Sequence, residues 1–330
     1  MKVVGRGPLW ALQRGEYEAC ADHWWTNFLY VNNLVPFHGA ASCYGVSWYL
    51  PNDMQFFLLL PWLVVLHARA PRATYGAIAA ACAASVAYSL WAAKAYGWSF
   101  VSFDAGEQAY FADFYIRPWT RIPPYLVGVA AALLARDRAD RAAAAKDRGA
   151  RAEKATTFFD GGRAALVAGV ALVVVITFGS YRFYQTIPSS PAQWENHVFL
   201  ALTKPAWAVA LSLIVAACVD GRGSLVASFL SLPAFGPLAK LTFAAYLIHP
   251  AVLDVLLKAT PGNTRVVFSE IWWYVTFLGV SCVVLIFSFL VHLFVEQPLV
   301  NLEKLLLRNE SKPRSDAPPP LLSAPGAAAV

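Results

Sequence analysis

Residues 48–66 read WYLPNDMQFFLLLPWLVVL, a run that changes from polar to wholly apolar within one stretch of helical length. Asn52, Asp53 and Gln55 stand near its start, and residues 56–66 carry no charge. Polar side chains at the edge of hydrocarbon are costly unless they are satisfied or used. Two interpretations follow. Either Asn52 or Asp53 caps the first turn of a helix, or these side chains serve a site at a membrane surface.

The composition around this run is that of a membrane protein. Of the 330 residues, 58% are hydrophobic and 14% are charged, whereas soluble domains contain about 25% charged residues. We therefore predict an all-α fold, a polytopic integral-membrane helix bundle of about seven spans. The predicted spans are residues 48–66, 74–93, 122–135, 164–178, 198–219, 238–257 and 271–295.

Charge and cysteine usage limit the classes of partner. We interpret the net charge of +6 as Lys and Arg residues that mark the cytoplasmic loops, and not as a sign of nucleic-acid binding. The cysteines lack zinc-type spacing, so no metal site is predicted. The lipid bilayer is the first expected partner.

The distribution of Lys and Arg predicts an orientation. Placing the loops after the first, third and fifth spans in the cytoplasm gives that side most of the basic residues. The N-terminus is then extracytoplasmic and the C-terminus cytoplasmic, in the plasma membrane or an endomembrane. We divide the chain into an extracytoplasmic segment (1–47), a membrane domain (48–307) and a disordered tail (308–330). Cys20 and Cys43 both lie in the first segment, where either a disulfide or two free thiols is expected.

Ionisable side chains within spans are candidates for function. In the sixth span, Tyr246 and His249 share a helix face, and Pro250 cannot donate to the carbonyl of Tyr246. This arrangement predicts a polar cavity, or alternatively one histidine bonded for packing. His292 and Glu296 share a face near the end of the seventh span, where both can also reach interfacial water.

Two arginines and one lysine are further candidates. Arg117 and Arg121 precede the third span, where a guanidinium can bind an anionic group or anchor at lipid headgroups. Lys204 lies within the fifth span. Pattern alone thus predicts a seven-span protein with a polar interior and no definite chemistry.

Several short motifs follow one another in a characteristic order. They comprise Cys20, Trp24, Trp25, 27–33 (NFLYVNN) and Cys43; 48–57 with Pro61; 117–128 (RPWTRIPPYLVG); 204–207 (KPAW); 241–250 (LTFAAYLIHP); and Glu296 with Pro298. In this order they resemble the membrane-bound acyltransferase 3 family, and within it the animal branch of "nose resistant to fluoxetine" proteins. The resemblance extends over residues 20–307.

The resemblance implies transfer of an acyl group, from acyl-CoA as co-substrate, to a hydroxylated small molecule or lipid. No bound cofactor is implied. Family members carry a base histidine on a span that precedes the Trp-Trp pair. Here only 23 residues come before Trp24, and His23 is not on a predicted span. We therefore expect the C-terminal part of a longer protein, in which missing spans would carry the base and translocate the extracytoplasmic segment.

The remaining site residues are carried over from the resemblance. The candidate catalytic residues are Asp53, His249 and Glu296. The candidate substrate-binding residues are Asn52, Gln55, Arg117, Arg121, Lys204 and Tyr246.

Alternative functions on the same fold stay open. A non-enzymatic transporter of lipids or xenobiotics, or an inactive paralogue, would share the architecture without acyl turnover. A seven-span receptor is disfavoured, because no Asp-Arg-Tyr follows the third span and no Asn-Pro-x-x-Tyr lies in the seventh. Acyl-CoA turnover that depends on His249 would favour the enzyme, whereas ligand flux without turnover would favour the carrier.

Overall fold

The computed structural model describes residues 14–35, 42–102, 108–147, 162–184, 193–219, 224–258 and 269–307. Every regular element within these ranges is a helix. The helices are α1 (Arg14–Phe28), α2 (Tyr49–Arg69), α3 (Pro71–Tyr96), α4 (Gln108–Tyr110), α5 (Pro118–Asp147), α6 (Gly162–Tyr184), α7 (Gln193–Val219), α8 (Ser224–Leu230), α9 (Phe235–Lys258), α10 (Glu270–Val291) and α11 (Gln297–Leu307). The predicted disordered tail, 308–330, lies outside the described residues.

Within the described ranges, six helical stretches are long and apolar enough to cross a bilayer. They are Gly45–Arg69, Pro71–Tyr96, Gly162–Tyr184, Gln193–Val219, Phe235–Leu256 and Glu270–Leu306. They confirm the predicted all-α polytopic membrane fold. The other predicted span, 122–135, lies inside α5. Its apolar stretch is short, because Arg121 and prolines precede it and a charged run follows it.

The chain forms two compact units, and the first contains all elements up to α8. In this unit α5 packs against α3 and α7, α6 packs against α7, and α2 packs against α3 and α5. A buried aromatic and aliphatic cluster lies where the ends of α3 and α4 meet α7. Its members are Ala92, Ala93, Trp98, Tyr110, Phe114 and Leu200.

Helices α6 and α7 approach closely at Gly169. A Cβ atom added there would lie 2.8 Å from the carbonyl oxygen of Ala210 and 2.8 Å from Cγ1 of Ile214. Small residues at such crossings let helices in a membrane come into van der Waals contact. An ion pair of 2.9 Å between Arg182 and Glu195 joins the same two helices.

The second unit consists of most of α9 together with α10 and α11. Ser269 caps α10, because its hydroxyl accepts a hydrogen bond from the backbone N–H of Trp272 at 3.2 Å. A π-helical segment, His292–Glu296, links α10 to α11. Large apolar side chains of α10 such as Ile271 are exposed, as expected of a helix that faces lipid.

The interpretation of Asn52 or Asp53 as a helix cap is wrong. A 3₁₀ turn, Gly45–Trp48, leads directly into α2, so the helix begins at Tyr49 and its preceding residue, Trp48, makes no side-chain cap. Both polar residues therefore lie inside the helix, where their side chains are available for other contacts.

The segment that precedes α2 is held by a disulfide. Cys20 on α1 is bonded to Cys43, with their Cα atoms 4.0 Å apart. Helix α5 continues beyond its apolar stretch to Asp147 and carries an exposed ion pair of 3.8 Å between Arg136 and Asp140.

Candidate functional site

Three amide side chains form a network at the start of α2. Nδ2 of Asn33 donates to Oδ1 of Asn52 and to Oε1 of Gln55, each at 3.1 Å. Nε2 of Gln55 returns a bond of 3.0 Å to Oδ1 of Asn33, and Nδ2 of Asn52 donates to the carbonyl of Ile116 at 3.0 Å. Asn33 and Asn52 are fully buried. The network therefore ties the turn around residue 33 to α2 and to the segment before α5.

Arg117 completes this connection. Its Nη1 donates to the carbonyl of Asn33 at 2.8 Å, and its Nη2 pairs with Asp113 at 3.3 Å. Only 1% of Arg117 is exposed. Three predicted binding residues, Asn52, Gln55 and Arg117, thus lie together in one bonded network, while Asp53 is exposed on the adjacent face of α2.

Arg121 contacts a backbone carbonyl and two aromatic rings. A π-helical segment, Phe111–Tyr115, presents the carbonyl of Tyr115 to Nε of Arg121. The guanidinium carbon lies 3.8 Å from the centre of the Tyr115 ring and 4.7 Å from that of Trp48. Nη2 of Arg121 is buried and has no hydrogen-bond partner among the described residues. Aromatic faces therefore stabilise this cation where a carboxylate would be expected.

Lys204 approaches the same aromatic residues from α7. Its Nζ lies 4.9 Å from the centre of the Phe114 ring and 5.9 Å from that of Tyr115. Its one hydrogen bond in the described part of the chain is a long contact of 3.5 Å to the carbonyl of Thr120. Arg121 and Lys204, predicted as binding residues, thus meet at one ring, and we call them with Tyr115 and Trp48 the cation pair site.

In the second unit, His249 occupies a defined tautomer. Its Nδ1 lies 2.8 Å from the carbonyl oxygen of Tyr246 and 3.2 Å from that of Ala245. A carbonyl oxygen only accepts, so Nδ1 must carry the proton. The partner carbonyl of Tyr246 is the one that Pro250 cannot bond. In the neutral ring Nε2 therefore keeps its lone pair and can act as a base.

Both ring nitrogens of His292, in contrast, form hydrogen bonds. Nδ1 donates to Oε2 of Glu296 at 2.6 Å, and Nε2 accepts from Nε2 of Gln297 at 3.0 Å. Both ring nitrogens are therefore engaged within the π-helical segment and the first residue of α11. The predicted catalytic residue Glu296 lies here, bound to a histidine of its own helix.

A third histidine cluster was not predicted. Nε2 of His67, at the end of α2, donates to Oδ1 of Asp137 at 2.8 Å, and the hydroxyl of Tyr75 donates to Oδ2 at 3.0 Å. Three helices thus meet at one carboxylate. His67 lies 15 residues beyond Asn52 on α2, about 22 Å along the helix axis. The cluster therefore stands at the opposite end of the helix from the cation pair site.

The hydrogen bond from His67 holds the pKa of Asp137 below its usual value, and the bond from Tyr75 acts in the same direction. A carboxyl group with a lowered pKa in the folded state contributes stability above its unfolded-state pKa of about 3.9. That contribution is lost as the pH falls through the lowered pKa.

The substitution Asp137→Asn is therefore expected to lower the thermal unfolding midpoint at pH 7. The midpoint of this variant should also decrease less than that of the wild type as the pH is lowered. Scans of the detergent-solubilised chain between pH 3 and 7 would measure this. Asp140→Asn is the control, since Asp140 is 72% exposed and its ion pair is long. Equal effects of the two substitutions would contradict a role for the cluster in joining the helices.

Comparison with known proteins gives the family. A family model described as an acyltransferase domain matches residues 9–292. Nose resistant to fluoxetine protein 6 of Caenorhabditis elegans is 29% identical over 318 residues, which cover 93% of this chain and 37% of the relative. The chain thus spans little more than a third of that relative's length. No solved structure matches the chain. The family match covers most of the sequence and the fold is that of a multi-pass membrane protein, so this chain belongs to the acyltransferase 3 family.

Proposed function

We propose that this protein transfers an acyl group from acyl-CoA to a hydroxyl group of a small molecule or lipid, with His249 as the base. The observation that carries the proposal is the hydrogen bond of 2.8 Å between Nδ1 of His249 and the carbonyl of Tyr246. It directs the basic lone pair to Nε2, as an orienting bond does in histidine bases generally.

The step needs no bound cofactor. Nε2 of His249 takes the proton of the acceptor hydroxyl while the acceptor oxygen attacks the thioester carbonyl. The C–S bond then breaks, and the proton passes from the imidazolium to the CoA thiolate. A positioned base of this kind contributes about 10²–10⁴ in rate.

The other described histidines with defined contacts support the choice of His249. Both ring nitrogens of His292 are occupied by Glu296 and Gln297. Nδ1 of His67 is unbonded, but it is buried without solvent contact between helices. His249 is half-buried, so a hydroxyl can reach its free nitrogen.

The test is acyl-CoA turnover by the purified full chain in lipid nanodiscs. Acetyl-CoA and palmitoyl-CoA are supplied with a sugar, a sterol or a diacylglycerol, and both free thiol and acylated product are measured. We expect thiol release that rises with one of these acceptors, and label in that acceptor. Binding or transbilayer movement of the lipid probes without thiol release would overturn the proposal and favour a carrier.

A further inference from the structure

The cation pair site brings two basic side chains together, and no carboxylate of the described residues lies in ion-pair contact with either of them. Neither Arg121 nor Lys204 forms an ion pair with any residue in the described part of the chain. Asp53, a predicted site residue with a carboxylate, makes no ion pair with either cation within the described ranges. Charges in a membrane protein are costly unless they are paired or used.

The hydrogen-bonding groups of the two cationic side chains are all donors. Nη2 of Arg121 is buried without an acceptor. Lys204 has three donors and makes one long contact, to the carbonyl of Thr120. The missing partner must therefore supply several acceptor oxygens and negative charge, and a phosphate group provides both.

The surrounding backbone holds the two cations in place. The π-helical segment aims the carbonyl of Tyr115 at Arg121 and that of Phe114 at the hydroxyl of Thr120, at 2.6 Å. π-Helical turns inside helical proteins are frequent at functional sites. Arg117 differs from these two cations, because its guanidinium pairs with Asp113 and donates to the carbonyl of Asn33.

We infer that Arg121 and Lys204, set against the rings of Tyr115 and Trp48, bind the phosphate group of a ligand. This inference does not depend on acyl transfer. A carrier on the same fold would also need a negatively charged group beside Arg121 and Lys204. Two sources share this chemistry: the headgroup of an acidic phospholipid and the phosphates of CoA. The experiment separates them.

The full chain in detergent micelles is titrated with phosphatidic acid, phosphatidylcholine, CoA or inorganic phosphate. The shift of the thermal unfolding midpoint is followed together with the fluorescence of Trp48, isolated by comparison with Trp48→Phe. We expect a shift with phosphatidic acid or with CoA, and none with phosphatidylcholine, whose phosphate is screened by choline. If none of the phosphate probes shifts the midpoint or the fluorescence, the inference is wrong.

Substitutions give a second, independent readout. Lys204→Met and Arg121→Gln should each weaken binding of the effective probe at least tenfold, whereas Lys204→Arg should keep it. Lys204→Met should also raise the midpoint of the ligand-free chain, because it removes an amine whose one described hydrogen bond is a long contact of 3.5 Å. The exposed Arg163 provides the charge-matched control Arg163→Gln, which should bind as the wild type does.

These outcomes separate a binding role from a structural one. If Lys204→Met lowers the ligand-free midpoint and leaves the affinity unchanged, the lysine serves packing, and the inference fails. If Arg121→Gln does not fold, the two Lys204 variants and the titration of the wild type still decide the question.

Discussion

Replacing His249 by glutamine is expected to lower kcat of acyl transfer by about 10²–10⁴, the contribution of a positioned general base. Glutamine can still donate to the carbonyl of Tyr246, so the local helix should be retained. It offers no basic nitrogen, and the acceptor hydroxyl must then lose its proton to water. The effect should fall on kcat with KM little changed, since the lost interaction belongs to the transition state.

The control for this substitution is His197→Gln. His197 lies near the start of α7, in the first unit, and makes no side-chain hydrogen bond to any described residue. Steady-state thiol release by both variants should separate them by at least a hundredfold. If His249→Gln and His197→Gln turn over acyl-CoA equally fast, the base lies elsewhere and the proposed role of His249 fails.

Replacing Arg117 by methionine is expected to cost about 1–3 kcal/mol of folding free energy, the cost of leaving buried acceptors without their donor. The substitution leaves Asp113 without its guanidinium, and it leaves the carbonyls of Asn33 and Leu34 without the donor Nη1. Methionine is long enough to fill much of the same volume. The loss of folding free energy therefore comes mainly from the missing hydrogen bonds and ion pair, and less from a cavity.

The thermal unfolding midpoint and the yield of monodisperse protein in detergent measure this effect. Arg136→Met is the matched control, because Arg136 is 68% exposed and its pair with Asp140 is worth little. The sequence-based prediction placed Arg117 in substrate binding. A variant Arg117→Met that folds with the wild-type midpoint but loses substrate affinity would support that role and contradict the structural one.

The membrane fold could be predicted because hydrophobic length is a strong local signal. Each of the six candidate spans overlaps a stretch identified from apolar runs alone. Residues 94–121 fall between the predicted spans 74–93 and 122–135, and the structure places the π-helical segment Phe111–Tyr115 there. A single π-helical turn has no periodicity of its own in sequence. The sequence therefore does not indicate that two aromatic residues of this segment, Phe114 and Tyr115, contact Lys204 and Arg121.

The candidate site could be predicted only in part. Arg121 and Lys204 were candidates because of their positions before and within predicted spans, but their meeting at Tyr115 depends on the packing of α5 beside α7, which no local pattern encodes. The pair of His67 and Asp137 was missed for a similar reason. Asp137 belongs to a charged run in which most side chains are solvated, so nothing in the sequence separates it from its neighbours.

The cap at Asn52 was predicted wrongly because the sequence does not show where a helix begins when a 3₁₀ turn leads into it. A polar Asn or Asp at the start of an apolar helical run is typical of a cap. Here the same amide bonds Asn33 and the carbonyl of Ile116. Tertiary contacts therefore use the polar residue that local propensity assigned to the helix end.

The most direct test of His249 as the base is ¹⁵N NMR of its imidazole in the lipid-reconstituted chain, assigned by comparison with His249→Gln. The structure predicts that, in the neutral ring, Nδ1 carries the proton and is hydrogen-bonded, while Nε2 gives the signal of an unprotonated nitrogen. A neutral ring with its proton on Nε2 would place the lone pair on Nδ1, against the carbonyl of Tyr246, and would contradict the account.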